Sequence, residues 1–296
     1  MASSVLHLAD GTTKKVKERV RFKPFMALFY FILLVSAAIV IIPFWWTCTT
    51  SFEKITSYAM PYPPQFWPTT FTWFNYELVL NNIEMGLYLK NTTIVALLDA
   101  LLQVLTATVA GFAFSKGRFP GKSLLLLFIM SNMMVPFETK LMPIYDIIRA
   151  MKLNNTYMGI VLPGIMTNAF YVFLIKKYCD DLPYELLEAG VVDGANKFRI
   201  YVSIFLPLMG PVIATLVVLT IMNTWNDLLW PVIVSNKPSM YTVQVGLSIM
   251  TNDTAQQSHA GMATAASVLS ILPLAAIFIF MQRYIVQSVA ASGIKQ

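Results

Sequence analysis

The sequence predicts an all-α integral membrane protein with six transmembrane helices, and three observations carry that reading. Apolar residues make up 57% of the 296-residue chain and charged residues only 12%, with a mean hydropathy of +0.64; a soluble domain carries about 25% charged residues. Six segments meet or approach the roughly 20 apolar residues that span a bilayer. They are Pro24–Cys48, Leu89–Ser115, Ser123–Phe137, Met158–Ile175, Leu208–Val234 and Met262–Ile285. No β-barrel alternation accompanies them, so helices must satisfy the backbone within lipid.

Residues 1–23 form a polar tail that gathers Lys14, Lys15, Lys17, Arg19, Arg21 and Lys23 before the first span. The apolar run after it exceeds the roughly 7–15 residues of a signal-peptide core, and it reads as a retained signal-anchor. With the N-terminus inside, the inner segments hold fifteen Lys and Arg and the outer segments six. The positive-inside rule then places both termini in the cytoplasm, leaving residues 291–296 as a short cytoplasmic tail after the 24–290 membrane domain.

The first outer loop, residues 50–88, is rich in proline and aromatics, and reads as an extended segment followed by a short surface helix. Trp67 and Trp73 there suit interfacial anchoring. The third span is the shortest, and Leu141–Met151 after it reads as an interfacial helix or a continuation. A second long outer loop, residues 235–261, is nearly uncharged and ends in TNDTAQQSH.

Ionisable residues inside spans point to function by default. Asp99 and Gln103, four residues apart in the second span, share a face and either line a polar substrate path or bond a neighbouring helix. Asn132, Asn168 and Asn223 are further candidates for that path or for interhelical hydrogen bonds. Asp227, near the outer end of the fifth span, reads as locally paired or set in interfacial water. The small residues Ala107, Ala110, Gly111 and Ala113 permit close helix approach, within the chain or to a second subunit.

The inner segment 181–207, DLPYELLEAGVVDGANKFRIYVSIFLP, mixes charge with helical periodicity. Asp180 or Asp181 suits an N-cap and Pro183 a first turn. Asp193-Gly194 breaks the helix, and a second amphipathic stretch follows with Phe198, Val202 and Phe205 on one face, closed by Pro207. The segment is either a connecting loop or a docking surface. In the docking reading Glu188 is an acidic handle, Ala189 and Gly190 allow close approach, and Gly194 sets the bend.

Composition also excludes function classes. The net charge of +6 is distributed by membrane side, which argues against nucleic-acid binding. His7 and His259 are the only histidines, and neither they nor Cys48 and Cys179 show metal-ligand spacing. There is no G-x-x-x-x-G-K-[ST] motif, so ATP and its Mg²⁺ are expected in a partner and no cofactor in this chain.

EAGVVDGA at Glu188–Ala195, with IFLP at Ile204–Pro207, resembles the EAA loop of ABC-importer permeases, departing from it at Gly190 where Ala is usual. Asn91-Thr92, GFAFSKGRFPGK at Gly111–Lys122, Met134-Val135-Pro136, WNDLLWP at Trp225–Pro231 and the tail Gln282–Gln296 extend the resemblance to the sugar branch, similar to the second permease of maltose-type importers.

The resemblance implies the ABC type I importer transmembrane fold, with Glu188, Ala189, Gly190, Asp193, Gly194, Leu206 and Pro207 in a cytoplasmic coupling helix and its loop. It also implies a second homologous permease subunit, two cytoplasmic ATPase subunits, an extracytoplasmic solute-binding protein and a carbohydrate substrate. Gly293 and Lys295 would reach the ATPase interface. Thr251, Asn252, Gln256 and Gln257 would probe the binding protein's sugar cleft. The alternatives are an importer of glycerol phosphate esters with the same architecture and a secondary transporter. The latter calls for inverted repeats and a midplane carboxylate.

Overall fold

The computed structural model describes residues 5–7, 13–15, 24–57, 60, 62–252 and 259–293; for residues 5–7, 13–15, 24, 25, 252, 281 and 283–293 it describes the backbone alone. In the tail, β1 (Val5–His7) and β2 (Thr13–Lys15) pair antiparallel. The rest is helical: α1 (Pro24–Ser51), α2 (Phe74–Asn82), α3 (Met85–Lys116), α4 (Lys122–Ser131), α5 (Phe137–Ala150), α6 (Tyr157–Met166), α7 (Ala169–Asp181), α8 (Glu185–Val192), α9 (Lys197–Ile200), α10 (Leu206–Leu208), α11 (Gly210–Asn226), α12 (Leu229–Val234), α13 (Val243–Asn252) and α14 (Ala260–Gly293). A π-helical turn, Tyr201–Phe205, joins α9 to α10.

The pillar of the bundle is α3. It supplies residues to four buried clusters: Ala107 and Phe114 toward α7 and the 181–207 segment, Met85 toward α2 and α14, Val95 toward α5, α6 and α12, and Ala96 and Ala100 toward α11. A Cβ at Gly111 would lie 2.5 Å from Ile175 Cγ2 of α7. The small residues of α3 therefore serve packing inside the chain. By contrast, α1 stands apart, with its apolar side chains from Leu28 to Trp45 exposed, and packs on α14.

Three helices, α1, α3 and α14, are long and apolar enough to span a membrane unbroken. The other three spans are bent pairs, which corrects the picture of six continuous helices. Lys122–Met134 and Phe137–Ala150 meet at 108°, Tyr157–Met166 and Ala169–Asp181 at 52°, and Lys197–Leu208 and Gly210–Asn226 at 76°. The expected third span thus ends early, because α4 has only ten residues and rises about 15 Å. Pro136 precedes α5, which continues the chain at a sharp angle instead of a straight span.

Side chains bond across the bundle near these interruptions. Pro163 in α6 has no N–H to donate to the carbonyl of Gly159, four residues back. The indole Nε1–H of Trp230 supplies that bond at 3.1 Å, with Trp230 itself buried. Trp225, on the other side of the break at Asp227–Leu228, donates to the Ser270 carbonyl of α14 at 3.1 Å. Asp227 accepts from the Trp230 backbone N–H at 3.4 Å, the local pairing expected of it.

At the end of the bundle remote from the 181–207 segment, buried Asn91 donates to the carbonyls of Ser239 and Tyr241, each at 3.0 Å, and accepts from the Tyr157 hydroxyl at 2.8 Å. Thr92 accepts from Val243 N–H at 2.8 Å. Here too α2 follows an extended segment, as expected. Its Tyr76 packs with Phe52, Phe71 and Trp73 in an aromatic group, while Trp67 packs on Trp45.

Trp230→Phe keeps the packing but orphans the Gly159 carbonyl, and should destabilise the chain by about 1–3 kcal/mol. Adding Pro163→Ala restores a backbone donor to that carbonyl and should recover part of the loss. Thermal unfolding of the two variants in detergent measures both effects, and an additive pair would exclude the coupling.

Candidate functional site

The 181–207 segment folds as an elbow of two short helical limbs. Asp180 and Asp181 end α7 instead of capping the first limb; Tyr184 occupies that N-cap position. The reason is electrostatic and local: Asp180 accepts from Lys176 at 2.6 Å and from Ser115 at 2.7 Å, which ties α7 to the end of α3. Limb α8 stops in a Schellman motif. Ala195 N–H bonds the Gly190 carbonyl at 2.9 Å, Gly194 N–H bonds the Val191 carbonyl at 3.0 Å, and Gly194 takes φ of +76°. The Asn196 side chain then caps α9, accepting from Arg199 N–H at 2.8 Å.

The two limbs pack on each other through Gly190. A Cβ there would stand 2.9 Å from Ile200 Cγ1 and 3.2 Å from Ile204 Cδ1. Gly190 is buried, so it faces the inside of the elbow, not an approaching partner as the docking reading had it. Ala189 and Glu188 are exposed, as are Asp193, Gly194 and Pro207, while Leu206 is half-buried. The expected apolar face of the second limb is split. Phe205 is fully buried, whereas Phe198 is 72% exposed and Val202 is also exposed, because the π-helical turn rotates the face between them. Val192 joins Phe198 as an exposed apolar residue on the elbow, at 86%.

The elbow is clamped to the pillar. Tyr201 and Thr108 share a hydroxyl hydrogen bond of 2.9 Å, and Phe112 packs on Phe205 and Tyr201 with ring centroids 4.9 and 5.4 Å away. Lys116 donates to the Leu182 carbonyl at 2.8 Å and lies over the Tyr184 and Phe205 rings. Sequence reasoning passed over Thr108 and Lys116; their placement at the foot of α3, about two turns from its end and at its last residue, was the available signal.

Asp99 and Gln103 are buried in α3 and bonded to each other at 2.7 Å. The second Asp99 oxygen accepts from Thr224 of α11 at 2.6 Å. Gly164 of α6 abuts this pair, since a Cβ there would lie 2.8 Å from Gln103 Nε2 and 3.0 Å from Asp99 Oδ1. Three helices meet at one carboxylate. Asp99 and exposed Asn223 line a groove of about 520 Å³, together with Glu138, Asn226 and Asp227. Asn132 and Asn168 belong to a different groove, of about 600 Å³, between the α4–α5 and α6–α7 breaks. There Lys140 donates to Asn132 Oδ1 at 3.0 Å and Asn168 donates to Thr106 Oγ1 at 2.8 Å. The five polar candidates thus divide between two grooves, with buried Gln103 beside the first.

Thr251 is exposed near the end of α13, and Asn252 ends that helix. Gln256, Gln257 and Lys295 lie outside the described residues; Gly293 is the last residue of α14. Among the described residues, no three His, Cys, Asp or Glu side chains converge as metal ligands.

Residues 103–291 match the family described as the binding-protein-dependent transport system inner membrane component. The chain belongs to that family. It is a membrane-embedded permease component of a transport system. Relatives include the arabinooligosaccharides transport system permease protein AraQ of Halalkalibacterium halodurans, 32% identical over 233 residues that cover 78% of this chain and 82% of the relative. The sn-glycerol-3-phosphate transport system permease protein UgpE of Yersinia enterocolitica is 30% identical over 212 residues, covering 72% and 75%. Among solved structures, a bacterial ABC transporter involved in the import of the acidic polysaccharide alginate matches with a TM-score of 0.76 at 21% identity, over 91% of this permease and 99% of that chain. The permease has the ABC importer transmembrane fold.

Gly190→Ala should be nearly neutral, because the flexible end of Ile200 can yield while the helix gains up to about 1 kcal/mol in propensity. Gly190→Leu should destabilise the elbow by about 1–3 kcal/mol through overpacking. Hydrogen exchange across residues 185–208 reads this directly; equal protection in both variants would disprove the internal packing role.

Proposed function

We propose that this permease forms half of an alternating-access pore that imports carbohydrate, driven by ATP hydrolysis in partner subunits. The observation that carries the reading is the elbow: two capped limbs locked around Gly190, clamped to α3, and exposing Glu188, Val192 and Phe198. Such a unit can transmit force as a rigid body. In this reading a second homologous permease completes the pore, and each permease elbow docks on one of two cytoplasmic ATPase subunits that hold ATP and Mg²⁺. Both termini are cytoplasmic, with residues 1–23 and 291–296 as tails, and Gly293 and Lys295 face the ATPases. An extracytoplasmic solute-binding protein delivers the substrate, and Thr251, Asn252, Gln256 and Gln257 probe its cleft.

A neutral oligosaccharide is favoured over a glycerol phosphate ester by the charge of the groove beside Asp99. Its lining carries the carboxyl groups of Asp99, Glu138 and Asp227 and no Lys or Arg. An anion would meet like charge there, which costs affinity. Asn223, Asn226 and Thr224 offer the donors and acceptors that sugar hydroxyls use. The arabinooligosaccharide relative supports the same substrate class.

Glu188→Lys reverses an exposed charge on the docking face and should weaken ATPase association by about tenfold or more, equivalent to roughly 1.4 kcal/mol. Co-purification of the variant with its ATPase in mild detergent measures this, and parental association would exclude Glu188 as the contact. Deleting residues 251–259 should slow substrate transfer from the binding protein while leaving subunit assembly intact. Transport assays in vesicles at saturating binding protein check it, with unchanged kinetics ruling out the probing role.

A further inference from the structure

Between the foot of α3 and the elbow lies a cavity of about 140 Å³ that none of the transport roles above uses. Its walls come from both bodies: Phe112, Lys116 and Arg118 from the end of α3 and its turn, and Tyr184, Leu187 and Lys197 from the two limbs, with Val191 and Ile200 completing the apolar side. Three cationic side chains line it and no carboxylate does. Lys116 bonds a neutral carbonyl, and Arg118 lies over the Tyr184 ring at 5.6 Å. Asp180, near Lys116, accepts its hydrogen bonds from Lys176 and Ser115 instead. Among the described residues, neither Lys116, Arg118 nor Lys197 forms an ion pair.

We infer that this cavity binds the phosphate of an acidic phospholipid headgroup. The charge of the lining asks for an anion, and phosphate accepts from Lys and Arg together. At about 140 Å³ the space is below the roughly 300 Å³ or more of a pocket that encloses a whole drug-sized ligand, and it suits a headgroup fragment. The lipid is favoured as the source because the next helix, α4, turns Leu124, Leu127 and Phe128 outward at 66–76% exposure, an apolar flank along which acyl chains can run. Basic pockets beside spans recognise lipid headgroups in this way. A bound headgroup would bridge α3 to both limbs and hold the elbow against the pillar. Binding itself does not depend on the transport reading; only its effect on coupling rests on that reading.

The test uses the full chain, purified in a neutral detergent after exchange from nanodiscs of either phosphatidylglycerol or phosphatidylcholine, with retained lipid counted by native mass spectrometry. Phosphatidylglycerol should be retained and phosphatidylcholine lost. The double variant Arg118→Ala/Lys197→Ala should hold phosphatidylglycerol about 30-fold more weakly. A control that removes the same charge at the other end, Lys90→Ala/Lys237→Ala, should hold it normally. Equal retention by the parent and the Arg118/Lys197 variant, or equal loss in the control, would overturn the site. Displacement of the lipid by millimolar inorganic phosphate would overturn the lipid assignment in favour of a free anion. No ATPase is present in the assay, so an outcome here is separate from the Glu188 docking result.

Discussion

A helix that breaks inside a bilayer has no water to satisfy the groups it exposes, and the architecture of this permease follows from that constraint. Three of its six spans are bent pairs. Side chains bond across the bundle near two of the interruptions. Trp230 serves the carbonyl that Pro163 strands, and Asn168 reaches back to Thr106 where α6 gives way to α7. At the sharpest bend Lys140 holds Asn132. The unbroken α3 takes part through the buried polar groups it carries along its length. Asn91, Thr92, Asp99, Gln103, Thr106 and Thr108 all bond across or along the bundle.

The same pillar connects the two ends of the molecule. Its upper half holds the loop before α13 through Asn91 and the groove through Asp99; its foot holds the elbow through Thr108, Phe112 and Lys116. A change of state driven at the elbow has to shift an equilibrium by a few kcal/mol to be efficient. A flexible tether would dissipate that difference. Here the Schellman stop, the Asn196 cap and the contact at Gly190 remove the soft points between the limbs.

Much of this was legible in the residues. The six spans, the Asp193-Gly194 break, the short surface helix α2 and the shared face of Asp99 and Gln103 follow from apolar length, turn chemistry and four-residue spacing. The bends do not, since an apolar run looks the same whether its helix is straight or broken; only Pro163, Pro136 and the polar residues beside them hint at it. The inward face of Gly190 was also hidden. A glycine between exposed residues looks like room for a partner until the second limb is seen to fill it. Likewise, an α-helical projection put Phe198 and Phe205 on one face, and one π-helical turn was enough to separate them. The division of the polar candidates between two grooves depends on where α5 and α6 lie, which no local pattern encodes.

The isolation of α1 has a consequence for how the chain is made. Its apolar length touches little of the bundle, and the helix it packs on, α14, lies more than two hundred residues further along the chain. Until α14 is made, α1 therefore sits in lipid without the helix it packs on. It is also the most apolar of the three unbroken spans, while α3, which carries the buried polar groups, is the least. The helix that waits longest for its partner is the one that needs it least, and α3, rich in groups that lipid would punish, is followed within some sixty-five residues by α7, its most extensive partner.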